Sequence, residues 1–254
     1  HPQGLSRGQP SLPALEPDVL AHGEVVAAML RAKIAEAGGE LDFAEFMRLA
    51  LYAPGVGYYT GGMAKFGAAG DFVTAPEVSP LFARALARQV AEVLAGLGEG
   101  AEVLEFGAGS GALALELLLE LERLAALPRR YLILDLSASL RVVQRERLMR
   151  DAQHLLERVV WLDAWPQDFT GLMIGNEVLD AMPLRVLEIT AEGAVRLGVG
   201  CDEAGFVWTQ QLASESDLQF LSGLEALRGE AFPVGYRVEF HPELAAWVTG
   251  LAQA

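Results

Sequence analysis

Glu105-Phe106-Gly107-Ala108-Gly109-Ser110-Gly111 is the stretch that decides the fold of this chain. It follows the short, mostly apolar stretch Ala101 to Leu104, and opens into Ala112-Leu113-Ala114-Leu115-Glu116-Leu117-Leu118. That succession predicts a buried strand, a glycine-rich turn and a helix. Glycines at such a turn let backbone N–H groups come close to a ligand, where a Cβ would intrude. Their spacing here is G-x-G-x-G rather than the dinucleotide pattern G-x-G-x-x-G, and the carboxylate of Glu105 stands before them. A carboxylate there repels a pyrophosphate and suits a cation. S-adenosylmethionine carries a sulfonium and an ammonium and has no phosphate, so a methyl donor fits better than a nicotinamide dinucleotide. The cofactor contacts expected from the run are Glu105, Gly107, Ala108, Gly109 and Gly111. A plain strand–helix turn in some other α/β domain is the competing explanation.

Working outward, strands and helices alternate after residue 99. Glu102–Phe106, Arg130–Leu136, Arg158–Leu162 and Gly171–Gly175 read as strands, with helices over Gly111–Ala126 and Ser139–Met149. Alternation of this kind predicts parallel βαβ units and a doubly wound sheet. The pattern then changes to short, turn-separated strands at Leu184–Thr190, Ala194–Val199 and Phe206–Gln210, which suggest an antiparallel β insertion. Phe232 to Phe240 reads as a strand and Pro242 onward as a helix.

Upstream, residues 18–37 carry apolar positions at helical spacing, and Asp42 with Glu45 makes a capping-box-like start for a second helix. Ser79 and Pro80 begin a third, which ends near Gly96-Leu97-Gly98. Between the second and third, Tyr52 to Glu77 is a long stretch rich in glycine and aromatic residues, of the kind that is usually functional. The expected division is a polar, flexible N-terminus at 1–17 without a signal or transit pattern, N-terminal helices and a loop at 18–98, and a cofactor-binding core at 99–254.

Composition bounds the function. The chain has 254 residues, 52% of them hydrophobic, enough for a sizeable core. A formal net charge of −15 argues against a nucleic-acid partner and is compatible with a basic one. One cysteine and four scattered histidines predict no disulfide framework and no metal centre. No apolar run is long enough to insert in a membrane.

Two further places carry candidate chemistry. Asp135 ends the second strand, where an acid accepts hydrogen bonds from ribose hydroxyls in sheets of this kind, and Asp163 ends the third, in reach of an adenine amino group. The fourth strand runs into Asn176-Glu177-Val178-Leu179-Asp180-Ala181-Met182-Pro183. Asn176 and Glu177 should face the reactive end of the cofactor. Glu177 and Asp180, three apart, share a face if the segment turns helically, and together suit a guanidinium. Helix capping by Asp180 is the alternative.

With these segments quoted, the chain resembles the MidA-like family, the mitochondrial complex I assembly arginine methyltransferases and their bacterial relatives. The resemblance rests on four blocks: Phe46-Met47 with Leu51 to Tyr59, Phe66-Gly67 with Gly70 to Ser79, Glu105 to Gly111, and Asn176 to Pro183. It implies a Rossmann-like class I methyltransferase sheet of α/β class, with the N-terminal helices and loop as a lid over donor and acceptor. On that basis Tyr58, Gly70, Asp71 and Glu77 are the expected lid and substrate residues. The implied cofactor is S-adenosyl-L-methionine, and the implied partner is a protein bearing an accessible arginine, with a homodimer as a further expectation. The implied setting is the cytoplasm for a bacterial member and the mitochondrial matrix for a eukaryotic one. The family pattern places Glu where Asp135 stands and continues past Ala254 with further strands, so the sequence reads as a C-terminally truncated member. A non-catalytic assembly protein on the same fold is the alternative function.

Overall fold

The computed structural model describes residues 16–61 and 74–254. The expected lid residues Gly70 and Asp71, and nearly all of the polar 1–17 stretch, lie outside them.

The glycine run sits at the end of the most buried strand. Strand β2 (Glu102–Phe106) is buried at every position, and helix α5 (Ala112–Arg123) follows the loop. Strands β3 (Tyr131–Leu134), β4 (Val159–Leu162) and β5 (Gly171–Gly175) complete a parallel sheet of order β4-β3-β2-β5. The chain steps outward from β2 to β4, then crosses back to β5 on the other side of β2. That reversal makes the carboxyl end of β2 the switch point, where ligands bind in open α/β sheets.

One face of the sheet is covered by α5, by α4 (Pro80–Leu97) and by α6 (Ala138–Asp151). Ala87, Val90, Leu117, Leu118, Leu121 and Leu148 from these helices pack on Val103, Tyr131 and Ile133. Each fully buried leucine contributes on the order of 1.5–3 kcal/mol. The opposite face, centred on Leu104, Phe106 and Leu132, is covered by Trp165 and Phe169 from the β4–β5 crossover, and by Trp247 and Leu251 of α8 (Leu244–Gln253).

The segment expected as an insertion belongs to a second, antiparallel sheet. Strands β6 (Arg185–Thr190), β7 (Gly193–Asp202), β8 (Gly205–Leu212) and β9 (Arg237–Phe240) form it, together with β1 (Glu40–Asp42) from the N-terminal region. Strand β8 lines one edge of β7, while β6 and β1 share the other, β6 beside Gly193 to Arg196 and β1 beside Gly198 to Gly200. The sheet therefore ties the first helices to the last strands. Helix α7 (Glu215–Arg228), which packs Leu221 on Leu187 and Val238, was not foreseen.

The N-terminal helices start as their capping residues dictate. Helix α1 (Pro17–Glu36) opens on a proline, and in α2 (Phe43–Tyr52) Asp42 Oδ1 accepts from the Ala44 N–H at 2.8 Å. Glu45 does not close the expected box. Its carboxylate takes the Arg48 guanidinium three residues on, a partner that a backbone amide cannot outbid. A single-turn helix, α3 (Ala75–Val78), leads into α4, whose N-cap is Ser79 as expected.

Candidate functional site

The loop after β2 holds three glycines in the left-handed region, Gly107 at φ +58°, Gly109 at +56° and Gly111 at +80°. Few other residues adopt that geometry without strain. The Gly107 and Gly111 N–H groups bond the Leu134 and Ala108 carbonyls, and the loop borders the space above the sheet. There lies a cavity of about 600 Å³. Glu105, Gly107, Ala108 and Gly109 line its floor, Asp135 and Leu136 one flank, and Asn176, Glu177 and Val178 the other.

The roof comes from α2 and the turn that follows it. Tyr52 and Tyr59 stack at 5.4 Å and line the cavity. Two hydrogen bonds staple them down: the Tyr52 hydroxyl donates to the Ala181 carbonyl at 2.8 Å, and the Ser137 hydroxyl to the Tyr59 carbonyl at 2.6 Å. Burial raises the Tyr59 hydroxyl pKa, and the carboxylates of Asp180 and Glu177 add to the shift. Tyr58 packs edge-on against Tyr59 at 5.1 Å and supports it from behind.

Two buried acids face this space. Glu105 is 2% exposed; burial pushes its carboxyl up to about 7, the hydrogen bond from Tyr131 at 2.7 Å pulls it down, and Asp135 raises it again. Asp135 is likewise raised by burial, against donors that hold it down: the Ser137 N–H at 2.9 Å and the Gln144 side-chain amide at 2.8 Å. Among the described residues the cavity shows four carboxylates, Glu105, Asp135, Glu177 and Glu243, and one cationic side chain, Arg48. Such a lining repels a pyrophosphate and attracts a cation.

Beyond Glu177 lies a second cavity of about 430 Å³, bordered by Gly175, Glu177, Val178, Leu179, Asp180 and Trp247. Glu177 lines both cavities and has φ +54°, an uncommon conformation for a residue with a side chain. Asp180 borders only the second. It lies in a short 3-10 turn, Leu179–Ala181, where no side-chain cap bond forms.

Three expected residues stand elsewhere. Gly111 does not line the cavity; it caps α5 and faces Gln144 of α6. Asp163 does not line the cavity; its side chain is 93% exposed and pairs with Arg141 Nη1 at 2.6 Å. Glu77 accepts a hydrogen bond from the Ser110 hydroxyl and pairs with Arg147 at 3.6 Å, so it braces the glycine loop from α3 without lining the cavity. Sequence reasoning also overlooked Tyr52, Trp165 and Trp247, which line the cavity, and Gln144, which is fully buried behind it. Trp165 and Trp247 form its apolar back wall with Phe106, each 5.3 Å from that ring.

Residues 85–254 match the family described as "Putative S-adenosyl-L-methionine-dependent methyltransferase". The chain is 30% identical over 190 residues to the mitochondrial protein arginine methyltransferase NDUFAF7 homolog of Drosophila melanogaster, covering 66% of this chain and 43% of the fly protein. Against NDUFAF7 of Danio rerio it is 29% identical over 181 residues, 62% of this chain and 42% of the fish protein. A Burkholderia thailandensis protein crystallised with S-adenosyl-homocysteine superposes with a TM-score of 0.84 at 46% identity, over 95% of this chain and 62% of that one. A native structure from the same organism gives 0.80 and 45%, over 95% of this chain and 61% of that one. The chain thus spans about two fifths of these curated relatives and three fifths of these structures.

The family cofactor is S-adenosylmethionine, and the residues present fit it. Gly107 and Gly109 leave room for its methionine end, buried Glu105 faces the same space, and the Asp135 carboxylate borders it as an acceptor. Fold, acidic glycine-floored cavity and these matches agree, and the chain belongs to the MidA-like family of S-adenosylmethionine-dependent methyltransferases.

Proposed function

We propose that the chain transfers a methyl group from S-adenosylmethionine to a guanidino nitrogen of an arginine on a partner protein. The observation that carries this is Glu177, held at φ +54° on the border of both cavities with Asp180 just beyond it. Strained backbone of this kind clusters where side chains must be aimed. The names of the fly and fish relatives support arginine as the acceptor.

S-adenosylmethionine, when bound, supplies a methyl whose S–C bond breaks as the N–C bond forms, leaving the electron pair on sulfur. The protein's task is orientation, which can supply roughly 7–11 kcal/mol. Gly107, Ala108 and Gly109 would border the methionine end, Glu105 would face its ammonium, and Asp135 would accept from a ribose hydroxyl. Asn176 lies at the reactive end. Glu177 and Asp180 grip the guanidinium and take up the proton that the nitrogen loses. The mitochondrial relatives support a matrix setting for a eukaryotic member; a bacterial one would act in the cytoplasm, and a part in complex I assembly rests on the resemblance.

The test is calorimetry with S-adenosyl-homocysteine together with transfer of labelled methyl to arginine-bearing proteins. Glu177→Gln is expected to slow transfer by about a hundredfold or more while leaving S-adenosyl-homocysteine affinity within a few fold. Binding without transfer to any arginine-bearing protein would favour the assembly role. No binding would remove the methyltransferase reading of this chain.

A further inference from the structure

Gln144 lies on α6, outside the cavity, and is fully buried. Its side-chain amide makes three hydrogen bonds, two of them to the donor site. Nε2 donates to Asp135 Oδ2 at 2.8 Å and to the Gly109 carbonyl at 3.0 Å, and Oε1 accepts from Trp161 Nε1 at 2.8 Å. The indole can only donate, and the other two groups accept, so the network fixes which end of the amide points where. A Cβ built on Gly111 would lie 3.2 Å from Gln144 Cα, so the helix backbone also abuts the glycine loop.

We propose that Gln144 is a positioning residue for the donor site: it holds the Asp135 carboxylate and the Gly109 turn in the relative geometry that the cofactor ribose requires. The proposal rests on the reading of Asp135 as the ribose acceptor. Asp135 Oδ1 accepts from the Ser137 N–H and Oδ2 from Gln144, and the Gly109 backbone also bonds the carboxylate, so three protein donors fix its orientation at the cavity wall. A carboxylate held in one orientation presents its remaining acceptor capacity to a ribose hydroxyl in one direction. Without Gln144 the carboxylate loses the side-chain donor that fixes Oδ2, and the Gly109 carbonyl loses a buried donor.

The same bond controls charge. Burial raises the Asp135 carboxyl, while Ser137, Gln144, Arg141 and the Gly109 backbone lower it. The other titratable groups facing it are Glu105 from β2 and Tyr52 from α2. Loss of the Gln144 donor moves the Asp135 titration upward, and a protonated carboxyl is a poorer acceptor for hydroxyls.

The test uses the whole chain, with S-adenosyl-homocysteine titrated by calorimetry across pH. Gln144→Met is expected to weaken binding by about tenfold or more and to shift the fall-off of affinity on acidification to higher pH. A merely structural role would not move that pH. In an Asp135→Asn background the Gln144→Met effect should largely vanish, because the two act as one unit. Trp161→Phe, which removes only the donor that orients the amide, should give a weaker effect of the same kind and carries the test if Gln144→Met does not fold. Wild-type affinity and an unmoved pH profile in the folded variant, with Asp135→Asn impaired, would overturn the proposal. Wild-type affinity in Asp135→Asn would instead overturn the ribose reading beneath it.

Discussion

Glu105 is the residue whose chemistry can be read most directly in solution. Its carboxyl sits near 7 in the folded chain against an ordinary 4.5, with burial as the main cause. Between these values the folded state binds more protons than the unfolded one. The contribution to stability is therefore present in full below about 4.5 and is lost as the pH rises through about 7. Urea midpoints measured from pH 5 to 8 should fall more steeply for the wild type than for Glu105→Gln. Parallel curves would disprove the assignment. Gly111→Ala is a second test at this scale. At φ +80°, with Gln144 already 3.2 Å from the added methyl, it should cost about 1–2 kcal/mol in a denaturation curve and also weaken S-adenosyl-homocysteine binding. Glu105, Asp135 and the glycines stood out in the sequence because they gather at neighbouring strand ends around one glycine-rich turn. Gln144 was not legible, since a neutral amide inside a polar helix gives no such signal until the fold brings Asp135 and Trp161 to it. Asp163 shows the converse: its strand-end position was read correctly, but the side chain points to Arg141.

Among the elements, α7 depends most on one side chain. Asp217 is fully buried and closes a capping box with Ser214, while facing Arg185 at 3.2 Å and Arg196 at 3.7 Å. Burial alone would raise its carboxyl; the Ser214 backbone and hydroxyl, then Arg196 and Arg185, bring it below its ordinary value. Its contribution is thus present at neutral pH and lost as the pH falls through the lowered value. Asp217→Asn should destabilise the chain by about 2 kcal/mol or more, read from the urea midpoint at pH 7, and should flatten the acid limb. Asp42 of β1 joins the same cluster, 3.1 Å from Arg196, so α7, β1, β6 and β7 are locked at one point. Strand β1 could not be foreseen, since three residues are below any periodic signal. Helix α7 was missed although Ser214 with Asp217, the leucines Leu218, Leu221, Leu224 and Leu227, and Gly229 mark its start, face and end. The parallel strands were legible to within a few residues because their apolar runs are bounded by glycine and charge.

Taken whole, the molecule is strongly acidic, at −15, and its donor cavity shares that sign. Self-repulsion at this charge should be relieved by salt, so the melting temperature is expected to rise on going from about 10 mM to 150 mM sodium chloride as the screening length shrinks. A fall would mean that the ion pairs around Asp217 and Glu102 outweigh the repulsion. The second sheet has its own consequence, and it concerns time. Strand β1 pairs Glu40 with Gly200, so this sheet contact of the N-terminal region cannot form until β7 has been made. Loop closure over such a separation is slow. On a ribosome the parallel sheet and its glycine turn would assemble first as an open shelf, and the tyrosines of α2 would swing down over it last. Pulse-labelled hydrogen exchange during refolding should find the amides of β2 and β3 protected before those of β1, which makes the roof of the donor site the final act of folding.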